Sequence, residues 1–167
     1  MGMDNERGET LVELLAAIVL TSIIGVIGYS LLISGFSTYD RVKDESALRD
    51  EADLIIASLI NELYPLKNSE IKNSYLPENG TDNYYFVLEN DEKIGFINNT
   101  VFIRNRKINL SDANIQLLSN TQIVEISKDR YRIRLVLKIK DSNQTLETIS
   151  EIGIINDTLW EVGNDET

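Results

Sequence analysis

A single carboxylate, Glu13, stands at the head of a run with no other charge: from Leu14 to Phe36 every side chain is uncharged. As a helix these roughly 23 residues reach about 35 Å, enough to cross the hydrocarbon core of a bilayer. An unpaired carboxylate in lipid costs about 2.5–3.5 kcal/mol near the bilayer centre and less near its edge. Glu13 therefore calls for water or a cationic partner, which is ion-pair chemistry. Five residues before it lies Gly8, in a short polar stretch that holds one base, Arg7, and the acids Asp4 and Glu6.

Other constellations are weaker. Arg130, Arg132, Arg134, Lys138 and Lys140 alternate along one stretch and form the one strip that could meet an anion. Alternating bases are also how an exposed strand discourages edge pairing, and Glu147 and Glu151 are placed to pair with them across a sheet. The net charge of −11, from 27 acids against 16 bases, argues against nucleic acid as a partner. Acidic turns at Asp82, Glu89-Asn90-Asp91-Glu92 and Asp141 do not have the spacing of a calcium loop. The chain has no His and no Cys. It thus lacks the usual general base and zinc ligand, any thiolate site and any disulfide. No Gly-rich phosphate loop and no Ser with a base complete a catalytic set, so no enzyme, cofactor or metal site is expected.

The elements that must position Glu13 follow in order. Residues 1–8 are polar and show no helical periodicity. Residues 9–36 read as a membrane helix, with Ala16, Ala17, Gly25 and Gly28 offering small surface for helix packing. Thr21, Ser22 and Ser30 can bond back to the helix backbone. Residues 37–64 continue the helix as an amphipathic stem. Val42, Leu48, Ala52, Ile55, Ile56, Leu59 and Leu63 make its apolar face, and Arg49, Asp50, Asp53, Ser58 and Glu62 its polar one. Pro65 is the stop signal. One helix from Thr10 to Tyr64 would be about 80 Å long.

Residues 65–167 read as a globular antiparallel β domain. Turn formers make 65–83 a loop, and from Tyr84 the period changes to two. Strands are expected at 84–88, 93–97, 100–104, 106–110, 122–126, 130–140 and 145–155, as one meander with one buried face. Asn98-Asn99 is a hairpin turn, and Lys128-Asp129 a second. Tyr131, Ile133, Leu135, Leu137 and Ile139 face the core. Trp160 is expected to close the core edge, and 163–167 to fray.

Gly8, Thr10, Leu11, Val12, Glu13, Leu14 and Leu15 together resemble the N-terminal signature of type IV prepilins and type II secretion pseudopilins. The spacing from Gly8 to Glu13 is that of the family. Glu9 stands where the family usually has Phe, the leader is less basic than is usual, and Ser30 takes the place of a kinking Pro found in many major pilins.

The resemblance implies a bacterial, structural protein of pilin-like α+β fold, with a long N-terminal helix packed on an antiparallel sheet. It implies that a prepilin peptidase, reading Gly8, Thr10 and Leu11, cuts between Gly8 and Glu9, and that Glu9 is then N-methylated. Glu13 would pair with the terminal amine of a neighbouring subunit. The implied partners are the peptidase, other pilins or pseudopilins, the cytoplasmic membrane with its assembly platform, and the extracellular filament that results. The helix end, Leu48 to Leu63, is similar in pattern and place to PilW-type minor pilins and J-type minor pseudopilins.

Three other readings use the same residues. A cleaved signal peptide would want a basic start, a shorter apolar core and a small-x-small site, for which Ile33-Ser34-Gly35 is imperfect. A single-pass anchor displaying an extracellular binding domain leaves Glu13 unexplained. A filament-tip adhesin or DNA-binding subunit rests on the basic strip alone.

Overall fold

The computed structural model describes residues 6–77 and 82–157, with side chains from Leu11 on. Compact units span Met1–Lys43 and Asp44–Thr167. One helix, α1 (Glu6–Leu63), contributes to both.

Among the described residues the first unit holds α1 alone. Every described side chain from Leu11 to Lys43 is exposed, including Leu14, Ile18, Ile24, Leu31 and Phe36. The Thr21 and Ser22 hydroxyls donate to the carbonyls of Ala17 and Ile18 at 2.8 and 2.7 Å, as expected, and Thr38 does the same to Ser34 at 2.8 Å. These bonds consume the polar groups locally, so the surface of the run stays apolar.

The second unit is α+β, with the helix packed on antiparallel sheets as expected. On α1 the core stripe is Leu48, Ala52, Ile55, Ile56, Leu59 and Leu63. Val42 does not join it: it is exposed, and the stripe begins only where the sheets cover the helix. The helix stops ahead of Pro65, where Leu66 N–H bonds the Leu63 carbonyl at 3.1 Å.

The single meander is corrected to two sheets. The first runs in sequence order through β1 (Ile71–Tyr75), β2 (Asn83–Leu88), β3 (Lys93–Ile97), β4 (Thr100–Ile103) and β5 (Arg106–Ile108). The second contains β6 (Ile115–Leu117), β7 (Gln122–Ser127), β8 (Arg130–Ile139) and β9 (Thr145–Gly153). Strand β1 lies inside the expected loop 65–83. Its IKNSY sequence is mostly exposed and pairs through backbone, leaving no apolar period to read. Strand β6 is too short, at three residues, to show one.

The turns are legible in the backbone. Asn98 and Asn99 have φ of 49° and 55°, and Asp129 of 62°, as the expected hairpins require. Arg104 and Asn105, at 48° and 64°, form a further turn between the strands expected at 100–104 and 106–110, so that Arg104 belongs to the turn and not to the first strand. The two sheets meet α1 in one core. Phe86 of β2 and Tyr131 of β8 join them edge to face, with ring centroids 4.9 Å apart.

Strand β8 organises the second sheet. It pairs with β9 on one edge; on the other it pairs with β7 near its start and β6 near its end. Between β6 and β7 the ladder is closed by a side chain. The buried Thr121 hydroxyl accepts from Val136 N–H at 3.0 Å and donates to the Val136 carbonyl at 3.2 Å. Replacing Thr121 with Val should leave that N–H unpaired and cost about 1–3 kcal/mol. Urea unfolding of the full chain in detergent should show a lowered midpoint for Thr121→Val and a near-normal one for Thr121→Ser; equal midpoints for Val and wild type would remove the hydroxyl from the account.

Candidate functional site

The N-terminal residues that carry the candidate chemistry lie on the first turns of α1. Gly8, Glu9 and Thr10 have helical backbone, and their side chains fall outside the described set; residues 1–5 of the expected leader also lie outside it. Leu11, Glu13, Leu14 and Leu15 are exposed. Glu13 has no ion-pair partner among the described residues, and the next base along the chain is Arg41. The geometry therefore presents one carboxylate at one end of an otherwise apolar helical surface. Within the chain nothing described neutralises it. An ammonium brought beside it from elsewhere would be attracted strongly, because opposite charges interact several-fold more at low effective dielectric than in water.

From Leu11 the helix is long and apolar enough to cross a membrane, with mean hydropathy of 2.4 over its most apolar 18-residue window. No side chain in that window is buried by the rest of the chain. A surface this apolar, left bare by its own domain, needs lipid or other helices to cover it.

The basic strip is a different kind of surface from the one an anion needs. Arg132 sends Nε and Nη2 to one Glu151 oxygen at 3.1 and 2.7 Å. Arg134 sends Nε and Nη2 to the two Glu147 oxygens, both at 2.9 Å. Arg130 reaches the other Glu151 oxygen at 3.5 Å, and Lys140 donates to the Ala113 carbonyl. The hydrogen bond from Arg134 holds the Glu147 carboxyl below its ordinary value and pushes the guanidinium up. These side chains are exposed, so the pairs set strand register more than stability. Three of the five bases are thus matched to the facing acids that the sequence placed opposite them.

A second guanidinium ties the stem to the first sheet. Arg104, on the β4–β5 turn, bonds Glu62 of α1 at 2.6 Å and Glu92 at 3.0 Å. Glu62 is the first cause of its raised pKa.

Sequence reasoning passed over Glu51. It is 2% exposed, and its Oε2 accepts from Ser111 N–H at 2.8 Å while Oε1 has no hydrogen-bond partner among the described residues. Its spacing, three after Leu48 and four before Ile55, was the available signal, because it places the acid on the apolar face. Its bond to Ser111 fastens the connection between the two sheets to α1. Among the described residues no group of three or more acids is placed to hold a metal ion.

Residues 3–29 match the family described as the Prokaryotic N-terminal methylation motif. That motif is the one borne by type IV pilin-like proteins, which are structural subunits, and it implies processing by a prepilin peptidase and assembly with other pilins. The match spans Gly8, Glu9, Thr10, Leu11 and Glu13 and much of the apolar run. No curated protein and no solved structure matches the chain.

Proposed function

We propose that the chain is a minor pilin or pseudopilin, a structural subunit of a type IV pilus, a type II secretion pseudopilus or a competence pseudopilus. A prepilin peptidase cuts between Gly8 and Glu9, Thr10 and Leu11 being part of what it reads, and the new terminus at Glu9 is N-methylated. The subunit waits in the cytoplasmic membrane as a single pass with its N-terminus inside. Extraction then carries the helix from lipid into a filament core outside the cell. Its uncharged surface suits both environments, so the transfer does not require charges to be stripped of water. In the core Glu13 pairs with a neighbour's terminal amine.

The observation that carries this reading is the coincidence of the methylation motif with a helix, α1, that is bare and uncharged from Leu14 to Phe36. In this reading the chain has four units: leader 1–8, filament-core helix 9–36, stem 37–64 and display domain 65–167. The stem's place and apolar pattern favour a PilW-type or J-type minor subunit. The paired state of Arg130, Arg132 and Arg134 supports no separate role in DNA binding.

The test is fractionation of producing cells. Shearing should release the protein with the other pilins in high-molecular-weight filaments, and deletion of the prepilin peptidase should return all of it to the membrane. A protein that stays in the membrane whether or not the peptidase is present is an anchored binding domain.

A further inference from the structure

Among the described strands, β1, β5, β6, β7 and β9 each leave one backbone edge without a strand partner. An open edge is a template for further pairing, and most of these are blunted. A register shift between Ile71 and Asn73 interrupts β1, and one between Glu125 and Ser127 interrupts β7. Strands β5 and β6 are three residues long, and β5 carries Arg106 and Lys107. Strand β9 has none of these devices. It runs nine residues, about 30 Å, without Pro, base or bulge, in unbroken register with β8.

The open backbone groups follow from the alternation of the ladder. Just past its two ends, Ile154 N–H donates to the Asp129 carbonyl at 2.8 Å and Ile139 N–H to the Gln144 carbonyl at 3.2 Å. Bonded pairs in an antiparallel ladder alternate with unbonded ones, so Leu146, Thr148, Ser150 and Ile152 turn their backbone groups to β8. Glu147, Ile149 and Glu151 turn theirs to the open edge, and their side chains are exposed on the outer face. Ile149 is 56% exposed between the two acids. On the inner face Leu146, Thr148 and Ser150 are half-buried, so cover is thin at this margin of the sheet.

We propose that β9 takes up an extended segment of another protein, one that reads base-x-apolar-x-base. The backbone of that segment completes the ladder at Glu147, Ile149 and Glu151. Its apolar residue lies beside Ile149 and its bases beside the two carboxylates. Arg132 and Arg134 already flank those carboxylates from β8, so the added bases continue an alternation of sign across β8, β9 and the new strand. The carboxylates have room for them. Two oxygens offer about four lone-pair sites, and Arg132 spends both of its bonds on one Glu151 oxygen. A second copy of the chain suits the edge poorly, since pairing along the whole strand sets Glu147 against Glu151 of that copy, acid against acid. The edge belongs to the β domain alone, so it serves whether or not the chain enters a filament.

The probe is a fluorescein-labelled peptide, T-K-T-V-T-K-T in one-letter code, whose pattern is the same in both directions. With the full chain in an uncharged detergent it should bind about tenfold more tightly than T-K-K-V-T-T-T, which has the same composition and charge. The amides of Glu147, Ile149 and Glu151 should exchange hydrogen readily in the free chain and several-fold more slowly with the peptide bound. Ile149→Pro should weaken binding about tenfold, because it removes an edge donor and leaves the β8 ladder whole. Glu147→Lys/Glu151→Lys should transfer the preference to T-E-T-V-T-E-T, a gain that misfolding does not mimic. Equal binding of the two lysine peptides overturns the proposal, since it means only that an acidic chain attracts bases. Protection elsewhere than at 147–151 overturns it too, as does an Ile149→Pro chain that binds like wild type. Edge amides protected without peptide, in a chain that sediments as a dimer, give the edge to a second copy instead.

Discussion

Replacing Glu13 with Leu should leave the protein processed, membrane-bound and absent from filaments. The variant removes the carboxylate from the bilayer edge, where it costs energy, so the anchored state is favoured slightly. In the proposed filament core the same change leaves a neighbour's ammonium without its partner. Breaking one half of a buried ion pair costs about 3–5 kcal/mol, which is roughly a hundredfold or more in occupancy at about 1.4 kcal/mol per tenfold. Immunoblots of sheared filaments against membranes should show that loss, with Glu13→Asp intermediate because a shorter acid keeps the charge but not the reach. A Leu variant that enters filaments as well as wild type would show that Glu13 is not the ion-pair partner. The comparison also separates the two main readings, since a simple membrane anchor gains from losing this acid.

The second large effect concerns the display domain. Gly95 sits in the middle of β3, between the buried Ile94 and Phe96, with φ of +137°. A Cβ placed there would lie 2.3 Å from the Tyr84 carbonyl oxygen and 2.7 Å from Tyr85 Cα. Both are backbone atoms of the paired strand β2, so no side-chain rotation relieves the clash. Gly95→Ala should therefore cost about 3–5 kcal/mol from backbone strain and overpacking together, against the 5–15 kcal/mol typical of a whole domain. Urea unfolding in detergent, followed by near-ultraviolet circular dichroism, should show a much lower midpoint or no cooperative transition. An unchanged midpoint would mean that β3 tolerates a Cβ there, and that the close approach of β2 is not needed for the sheet. The side chains from Leu11 to Lys43 are all exposed, so the far-ultraviolet helix signal of that run should persist.

How much of this was legible depends on what kind of signal each element leaves. The long helix was written in charge: no ionised side chain from Leu14 to Phe36, then an apolar stripe to Leu63 and a Pro at 65. Its stripe was read six residues too early, at Val42, because periodicity does not say where the covering sheet begins. Strand β8 was legible in faces, with Tyr131, Ile133, Leu135 and Leu137 inward and the arginines outward, and even its acidic partners on β9 could be named. Period two gives the face of a strand but not its neighbours, so the division into two sheets could not be read. Strand β1 was hidden because it pairs through backbone and buries little, and the Thr121 closure because it depends on a hydroxyl meeting Val136 across the break between β6 and β7. The candidate site was legible for a simpler reason. A lone acid in an apolar run is a local anomaly, visible without any knowledge of the fold, and the match to the methylation motif falls on the same residues. Trp160, expected to close the core edge, lies outside the described residues.

The most direct test of the account is the intact mass and N-terminal sequence of the protein taken from its own membrane. A chain that starts at Glu9 and carries one added methyl group is the predicted result, since in the proposed function cleavage after Gly8 would free the terminal amine that is to pair with Glu13. A chain that still starts at Met1, or one cut beyond the apolar run, would contradict it and leave the β domain as an anchored or secreted binding module.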